Sequence, residues 1–575
     1  MTSHVTSGTR KRGGDGRGRG RGRRRHRTAP VLSTRAQLLV FGIGFALRLL
    51  HVLAIQDSPY FDHPIIDAST YDSAARQIAA GRGHPDLVFW QPPGYSYFLS
   101  FIYSLSGGSF FAPRIIQAIL GAGTALLTAR AGALAFGREI GLAAGLGTAF
   151  YGTLIHDDAE LLAPALTHVL QLGSVELGLR ALQAPSMWRW AGTGFLTGLA
   201  ATVTATTLVW AAVFAAFARR HAPAVLLAAA AAIMPLTWRN AVRGGEAVLI
   251  STNAGINLYI GNNARYDQMV GVRPDLQWKE LVREPVRAGI QDQAAASLYF
   301  TRKVLEFAVK DPVGFLALQG KKIYLLLSGN EIPRNQAIYP RREESPILAI
   351  LLWKIPGLAF PWGLLAPTAL VGLAVTWRRT PLLATLLLTF AVTVVAFFVT
   401  ARYRLPLVPL AMVFAAAGVV WLVREADGRH RIAALTAWVA LYAVSNIGQG
   451  PMDRRMNADA EYSLGARYAM EGNAREARRY YLAALEQRPD YAEAWINLGV
   501  LDATEGRPAK AEASFRRALA IQPDDAVAMV NLGILCERSG RYEEARNLYR
   551  RALTAEPGDT EARRRLSALE QRLAP

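Results

Sequence analysis

Between its first two long apolar runs the chain carries a polar stretch, Gln56 to Trp90, whose second part reads IIDASTYDSAARQIAAGRGHPDLVFW and continues QPPGYSYF. Carboxylates just outside an apolar, membrane-length core are costly to keep and require a reason. Asp67, Tyr71 and Asp72 open a short amphipathic helix, and the turn Pro92-Pro93-Gly94 then sends aromatic residues back toward the apolar side. Asp72 belongs to the charged face of that helix, where solvation accounts for it. Asp67, preceded by Ile65-Ile66 and followed four residues later by Tyr71, is a candidate for chemistry. A second acidic set stands in HDDAELLAP, where Asp157, Asp158 and Glu160 meet a helix mouth and Glu160 lies one helical turn from His156; compensation of the helix dipole is the rival account of these acids. In ARYRLPLVPL, Arg402 and Arg404 flank Tyr403 and can grip phosphate oxygens bidentately, while Arg239, Lys321 and Lys322 lie in a long polar segment before them. A base near an acceptor hydroxyl, a cation beside a leaving phosphate and a divalent metal bridging them are the parts that group transfer from a phospho-lipid needs. The chain offers candidates for each, and any metal would draw its ligands from Asp67, Asp158 and Glu160.

These residues must be held by membrane helices. With 575 residues, 51% of them apolar and 19% charged, the chain is too apolar for an ordinary soluble enzyme and too polar to lie wholly in lipid. Runs able to span a bilayer lie near 36–55, 112–136, 140–156, 161–182, 187–203, 204–218, 221–237, 346–372, 381–399, 405–424 and 430–447, about eleven in all. The first 35 residues hold eleven Lys or Arg against Asp15, a Gly/Arg-rich tail that cannot build a core and is expected to be disordered. Directly before an apolar helix, such a tail fixes the N-terminus in the cytoplasm or lies on anionic lipid, a better account than nucleic-acid binding. An inward N-terminus also places Arg138, Arg189, Arg219-Arg220, Arg378-Arg379 and the Arg424–Arg431 turn on the cytoplasmic side. The loops 56–111 and 238–345, the His156–Glu160 corner, Arg402 and everything after 447 then face outward. The segment 94–106 is read as interfacial, because a further span would invert the rest. Cys536 is the single cysteine, which excludes an intrachain disulfide and a cysteine-based metal site.

From 457 the sequence repeats every 34 residues: Leu464-Gly465, Leu498-Gly499 and Leu532-Gly533; Gly472, Gly506 and Gly540; Ala484, Ala518 and Ala552; Pro489, Pro523 and Pro557. Small residues where paired helices touch, and a proline closing each unit, resemble the tetratricopeptide repeat. Three copies at 457–490, 491–524 and 525–558 and a capping helix at 559–572 form the expected α-solenoid, joined by a linker at 448–456. Stacked helix pairs of this kind offer a groove for a peptide or protein partner. Tyr468, Tyr481, Trp495, Phe515 and Tyr549 are read mostly as core.

The order IIDASTYDSAARQIAAG, QPPGYSYF, RIIQAILGA, HDDAELLAP, PLTWRNAVRGGEAVLISTNAGINLYIGNNA, LLLSGNEIPRN and ARYRLPLVPL resembles a group of polytopic glycosyltransferases of the GT-C fold class. These are the bacterial relatives of protein O-mannosyltransferases and the lipid A aminoarabinose transferase, in the dolichyl-phosphate-mannose mannosyltransferase superfamily. The resemblance covers about 36–425, within a membrane domain at 36–447. It implies an all-α, GT-C-like bundle in the cell (inner) membrane, taking a sugar from a polyprenyl-phosphate donor on the outer face and passing it, with inversion, to a protein, lipid or glycan acceptor. The family's first-loop aspartate falls on Asp67, as general base or acceptor-orienting group, and its second acid on Asp158 or, preferably, Glu160. By the same resemblance Arg239-Asn240 and Asn262-Asn263 line the second loop and Glu331 and Asn335 mark its return; these, with Tyr71 and Gln91 in the first loop, are the candidate substrate-binding residues. Arg402, with Arg404 beside it, meets the donor phosphate. Ala68 and Trp90-Gln91 stand where many relatives carry charged residues, and ATVTATT replaces an arginine often found around the fifth and sixth helices. Eukaryotic transmembrane O-mannosyltransferases with lumenal repeats are similar in architecture, which favours a protein acceptor. Two other classes compete with this reading. A transporter or flippase would need polar residues at mid-membrane depth and symmetry between halves, and the runs suggest neither. A catalytically degenerate, membrane-anchored tetratricopeptide scaffold for envelope protein assembly would need one anchoring helix, not eleven.

Overall fold

The apolar runs fold as helices in the computed structural model, which describes residues 32–269, 276–334, 338–447 and 454–573. The basic tail up to residue 31 and most of the 448–456 linker lie outside the described residues. The first helix, Thr34–Ala54, is capped by Ser33, whose side chain accepts a hydrogen bond from the Ala36 amide at 3.2 Å. Its 21 residues reach about 30 Å, the thickness of a bilayer's hydrocarbon core. The buried positions Val40, Gly44, Arg48, His51 and Val52 fall three or four apart and form one stripe. That stripe faces Phe111–Phe136, and a Cβ on Gly44 would lie 3.3 Å from the Ala122 Cα, so the backbones can meet closely. Arg138–Ala149 sits on the same central helix even more tightly: a Cβ on Gly141 would come within 2.4 Å of the Ala129 carbonyl oxygen.

Pro164–Gln183, Met187–Val203, Val209–Ala218 and Ala222–Gly244 follow with short turns, and Trp362–Thr376, Pro381–Ala396, Val408–Arg424 and Gly428–Asn446 complete the bundle. The main core joins Trp210, Phe214, Leu383, Phe390 and Phe414, and Trp210 satisfies its indole by donating to the Leu386 carbonyl at 3.0 Å. Four stretches among the described residues, Thr34–Ala54, Phe111–Phe136, Ala205–Gly244 and Ala401–Arg424, are long and apolar enough to cross a membrane by length and composition. Two of the expected runs are not single helices. The 140–156 run divides into Arg138–Ala149 and Gly152–Ala159. The 346–372 run becomes Pro346–Leu351, an antiparallel hairpin of Trp353–Ile355 and Leu358–Phe360, and Trp362–Thr376. Pro356-Gly357 makes the hairpin turn, with Gly357 at φ 81°, and Pro361 stops the second strand.

Over one end of the bundle Asp67–Ala79 pairs with Gly94–Ser106, burying Tyr71, Ala75, Tyr95, Leu99 and Tyr103 against Leu161 and Leu162. The second loop forms a small core from Ile256, Ile260, Phe300 and Leu318, closed by Phe398 just after the bundle helix Pro381–Ala396. The C-terminal part is a stack of helix pairs, Arg454–Met470 with Ala474–Gln487, Ala492–Thr504 with Pro508–Ile521 and Ala526–Arg538 with Tyr542–Ala555, closed by Thr560–Leu573. The 34-residue period has a physical cause. Gly465, Gly499 and Gly533 face the rings of Tyr481, Phe515 and Tyr549, and a Cβ would lie only 2.6–2.7 Å from them. Gly472, Gly506 and Gly540 turn between the paired helices at φ 73–78°.

Candidate active site

Asp67 is the first residue of its helix, and its carboxylate accepts a hydrogen bond from Arg402 Nη2 at 2.6 Å. Arg402 comes from Ala401–Arg404, whose start is capped by Thr400, so residues 335 positions apart in sequence form one ion pair. On one side of the pair lies a cavity of about 710 Å³. Asp67, Tyr71, Gln91, Arg334 and Arg402 are among its polar lining; Val209, Phe390, Val394, Phe397 and Pro406 are among its apolar walls. On the other side a smaller pocket of about 70 Å³ is lined by Thr153, His156, Asp157, Glu160, Glu331 and again Arg334 and Arg402.

The acidic corner is held by the central helix. Arg114 Nε donates to the Ala159 carbonyl at 2.9 Å, and Gln117 Nε2 donates to the carbonyls of Asp158 and Glu160 at 2.9 and 2.6 Å. Asp158 turns away from both cavities and is buried against Arg48, whose Nε lies at 2.6 Å. Glu160 lines the small pocket, 3.9 Å from Arg341 Nη2. Asp157, not selected as a site residue from the sequence, is buried with Oδ2 lacking a hydrogen-bond partner. Burial pushes its carboxyl up to about 8, with Asp158 and Glu160 adding to the shift and Arg402 opposing it. The sequence signal was the Asp157-Asp158 doublet itself, in which one acid is neutralised by an arginine and its neighbour is left facing the pocket.

Several expected substrate ligands instead hold the walls. Arg404 is buried, donating to the Ser328 and Asn330 carbonyls at 2.5 and 2.6 Å and to Glu331 at 2.9 Å. Glu331 also accepts from Thr153 at 3.2 Å, so this pair ties the return of the second loop to the bundle. Asn240 accepts from the Phe89 amide at 3.1 Å and donates to the Val248 and Ile250 carbonyls. Arg239 donates to the Asp86 and Leu87 carbonyls and lies over the Phe89 ring. Together they pin the first loop to the second. Asn262 accepts from Lys322 at 2.7 Å and donates to the Ala396 carbonyl at 2.7 Å, and Asn263 caps its helix by donating to the Tyr259 carbonyl. Lys322 is fully buried and donates to the Gly261 and Phe397 carbonyls as well. Asp72 accepts from Arg76 and from the Tyr103 hydroxyl at 2.7 Å, a structural role. Asn335 lies outside the described residues. No group of three or more His, Cys, Asp or Glu able to hold a metal ion occurs among the described residues. With Asp67 paired to Arg402 and Asp158 to Arg48, the acids do not converge into a divalent-cation site.

Beside this site the C-terminal stack touches the loop that ends in Asp67. The tetratricopeptide-repeat sequence profile matches residues 490–555. The C-terminal stack consists of tetratricopeptide repeats. The repeats are similar to the first tetratricopeptide domain of Spaghetti (RPAP3) bound to an HSP90 peptide, at 25% identity over 22% of this chain and 100% of that one, with a TM-score of 0.21. The larger part of the chain is similar to the oligosaccharyltransferase of Archaeoglobus fulgidus in its apo form, at 13% identity over 77% of this chain and a TM-score of 0.42. The archaeal oligosaccharyltransferase AglB of that organism, in complex with an inhibitory peptide and a dolichol-phosphate, matches at 13% identity over 77% of this chain with a TM-score of 0.40. This chain spans 60% and 59% of the lengths of those two proteins. No curated protein matches the sequence. Contact between the first repeat and the first loop centres on Ile65, Ala460, Leu464 and Tyr480, all buried, with Tyr60, Ile66 and Tyr468 around them.

Proposed function

We propose that the protein is a membrane glycosyltransferase that moves a sugar from a polyprenyl-phosphate carrier to an acceptor on the extracytoplasmic face. The observation that carries this reading is the Asp67–Arg402 pair, set at the polar end of a large apolar-walled cavity. Such a cavity suits a lipid tail, and a guanidinium at its head suits a phosphate. In the reaction an acceptor hydroxyl attacks the anomeric carbon, the C–O bond to phosphate breaks in line, and configuration inverts. The acceptor proton passes to Asp67, and the phosphate leaves with the electron pair and is stabilised by Arg402 and Arg334. The acceptor enters through the small acidic pocket, where Asp157 and Glu160 orient its hydroxyl. No step is routed through a metal, since Asp67 and Asp158, two of the three acids expected to hold one, are each engaged by an arginine.

The acceptor class is a protein or peptide presented by the repeats, and lipid or glycan acceptors are outcomes of the same assay. The N-terminus is cytoplasmic and the repeats are extracytoplasmic, in a multi-pass inner-membrane protein. Contact between the first repeat and the first loop supports one shared side for repeats and site. The test is transfer in membranes holding the protein or its Asp67→Asn variant, supplied with radiolabelled polyprenyl-phosphate sugars, with and without chelator. The expected result is transfer that the variant loses and the chelator leaves intact. Absence of transfer across several donors in a folded preparation, with envelope defects on deletion of 457–575, would instead favour the scaffold reading.

A further inference from the structure

Ile66, the residue directly before Asp67, sits at φ 53° and ψ −118°. That region suits glycine and is strained for a β-branched side chain. Ile66 also occupies the N-cap of the Asp67 helix with no side-chain hydrogen bond to offer, where Ser, Thr, Asp or Asn would cap the first turn. The local bonds, Ala68 N to the Ile65 carbonyl at 3.1 Å and Thr70 N to the Ile66 carbonyl at 3.2 Å, record the turn without explaining why an isoleucine tolerates it. Such strain persists only where surrounding packing over-determines it.

The surrounding packing comes from the first tetratricopeptide repeat. Ile65 is 4% exposed and Leu464 is fully buried in one cluster with Ala460 and Tyr480, against which Tyr60, Ile66 and Tyr468 pack. His63 is held on the same surface, its ring 4.7 Å from Tyr468 and its Nδ1 3.3 Å from Glu471. Burial, with the nearby Glu461 carboxylate of the same repeat adding to it, holds the Tyr60 hydroxyl above its ordinary pKa. Four residues of the loop, Tyr60, His63, Ile65 and Ile66, therefore lie on one repeat, and the next residue is Asp67.

We infer that the first repeat is a clamp that holds the Ile65-Ile66 turn in its strained form and thereby aims Asp67, making Ile65, Ile66 and Tyr468 positioning residues. The inference rests on the proposed function only in what Asp67 is aimed for; the clamp itself is a statement about the loop. It makes the repeats part of the site's geometry as well as a surface for a partner.

The experiment uses the full-length protein in lipid nanodiscs and compares wild type, Ile65→Ala, Tyr468→Ala, the conservative Tyr468→Phe, and Tyr468→Ala combined with Ile66→Gly. Hydrogen exchange of the peptide spanning residues 60–72 reads the clamp directly. It should speed up on the order of tenfold in Ile65→Ala and Tyr468→Ala, and not in Tyr468→Phe. Transfer to a short soluble acceptor should lose kcat by a similar factor with KM for the donor unchanged. Ile66→Gly, which removes the steric penalty of the positive φ, should restore most of it. Unchanged exchange in both alanine variants, with exchange in the repeats also unchanged, would overturn the clamp. Faster exchange in a protein that transfers no sugar would leave the clamp standing and refute the glycosyltransferase reading instead.

Discussion

Replacing Arg402 by alanine separates the ground-state role of the Asp67–Arg402 pair from its role in the reaction. The side chain of Arg402 is 16% exposed and that of Asp67 is 34% exposed, with 2.6 Å between them. A charge-assisted hydrogen bond in a dry interior is worth about 2 kcal/mol, but solvent at a one-third exposed carboxylate reduces this to about 1 kcal/mol of folding stability. Loss of a fixed cation aimed at developing negative charge, by contrast, costs about 3–4 kcal/mol of transition-state stabilisation, on the order of a hundred- to thousandfold in kcat. Arg402→Ala should therefore cut kcat by that factor while barely shifting thermal unfolding. The assay is single-turnover transfer from a labelled polyprenyl-phosphate sugar, with unfolding followed in the same detergent. Arg402→Lys keeps the charge but loses the planar fork, and should recover only part of the rate. In a double-mutant cycle with Asp67→Asn the losses should be strongly non-additive, because both groups act on one substrate. Retention of kcat within about threefold in Arg402→Ala, in a folded preparation, would refute the assignment of the leaving phosphate to this arginine.

Asp157 gives a pH test. With its carboxyl pushed up to about 8, it is mostly neutral at neutral pH and ionises as pH rises through about 8. The new charge competes with the phosphate for Arg402, so transfer should fall as pH rises past about 8. Asp157→Asn, a mimic of the neutral acid, should flatten that alkaline limb in a pH–rate profile. In the repeats, hydrogen bonds from Arg541 and Arg516 hold the Glu512 carboxyl down at about 2. Its contribution to stability is therefore complete above its ordinary pKa of 4.5 and lost as pH falls toward about 2. Acid unfolding followed by circular dichroism should show a smaller loss over that window in Glu512→Gln than in wild type. Gly141→Ala, which sets a Cβ 2.4 Å from the Ala129 carbonyl oxygen, should lose about 1–3 kcal/mol in thermal unfolding. Gly42→Ala, with open space around it, should be neutral or slightly stabilising.

The bundle was readable because each apolar run needs an internally hydrogen-bonded helix, whatever its neighbours. The repeats were readable because one glycine-to-ring contact returns at a fixed interval. The break in 346–372 was written in Pro356-Gly357 and Pro361, but hydropathy averages over such signals. The pairing of Asp67 with Arg402 depends on tertiary packing across 335 positions, which no local pattern encodes. The same limit explains Arg404, Asn240 and Asn262: their residue types suit a substrate and suit equally well the carbonyls left unpaired where loops join a bundle. Asp157 and Asp158 differ only in which side of a helix end they face, and that decides which one meets Arg48.

Gly465, Gly499 and Gly533 each receive a ring from the following helix in the same register. The pairing inside each repeat is thus built to one gauge, and a unit of one gauge can be copied. Units could be added or lost at the far end without altering the first repeat, where the loop ending in Asp67 is seated. The span of the repeat arm and the seating of Asp67 at its base are then separate quantities, and evolution or design can lengthen one while leaving the other untouched.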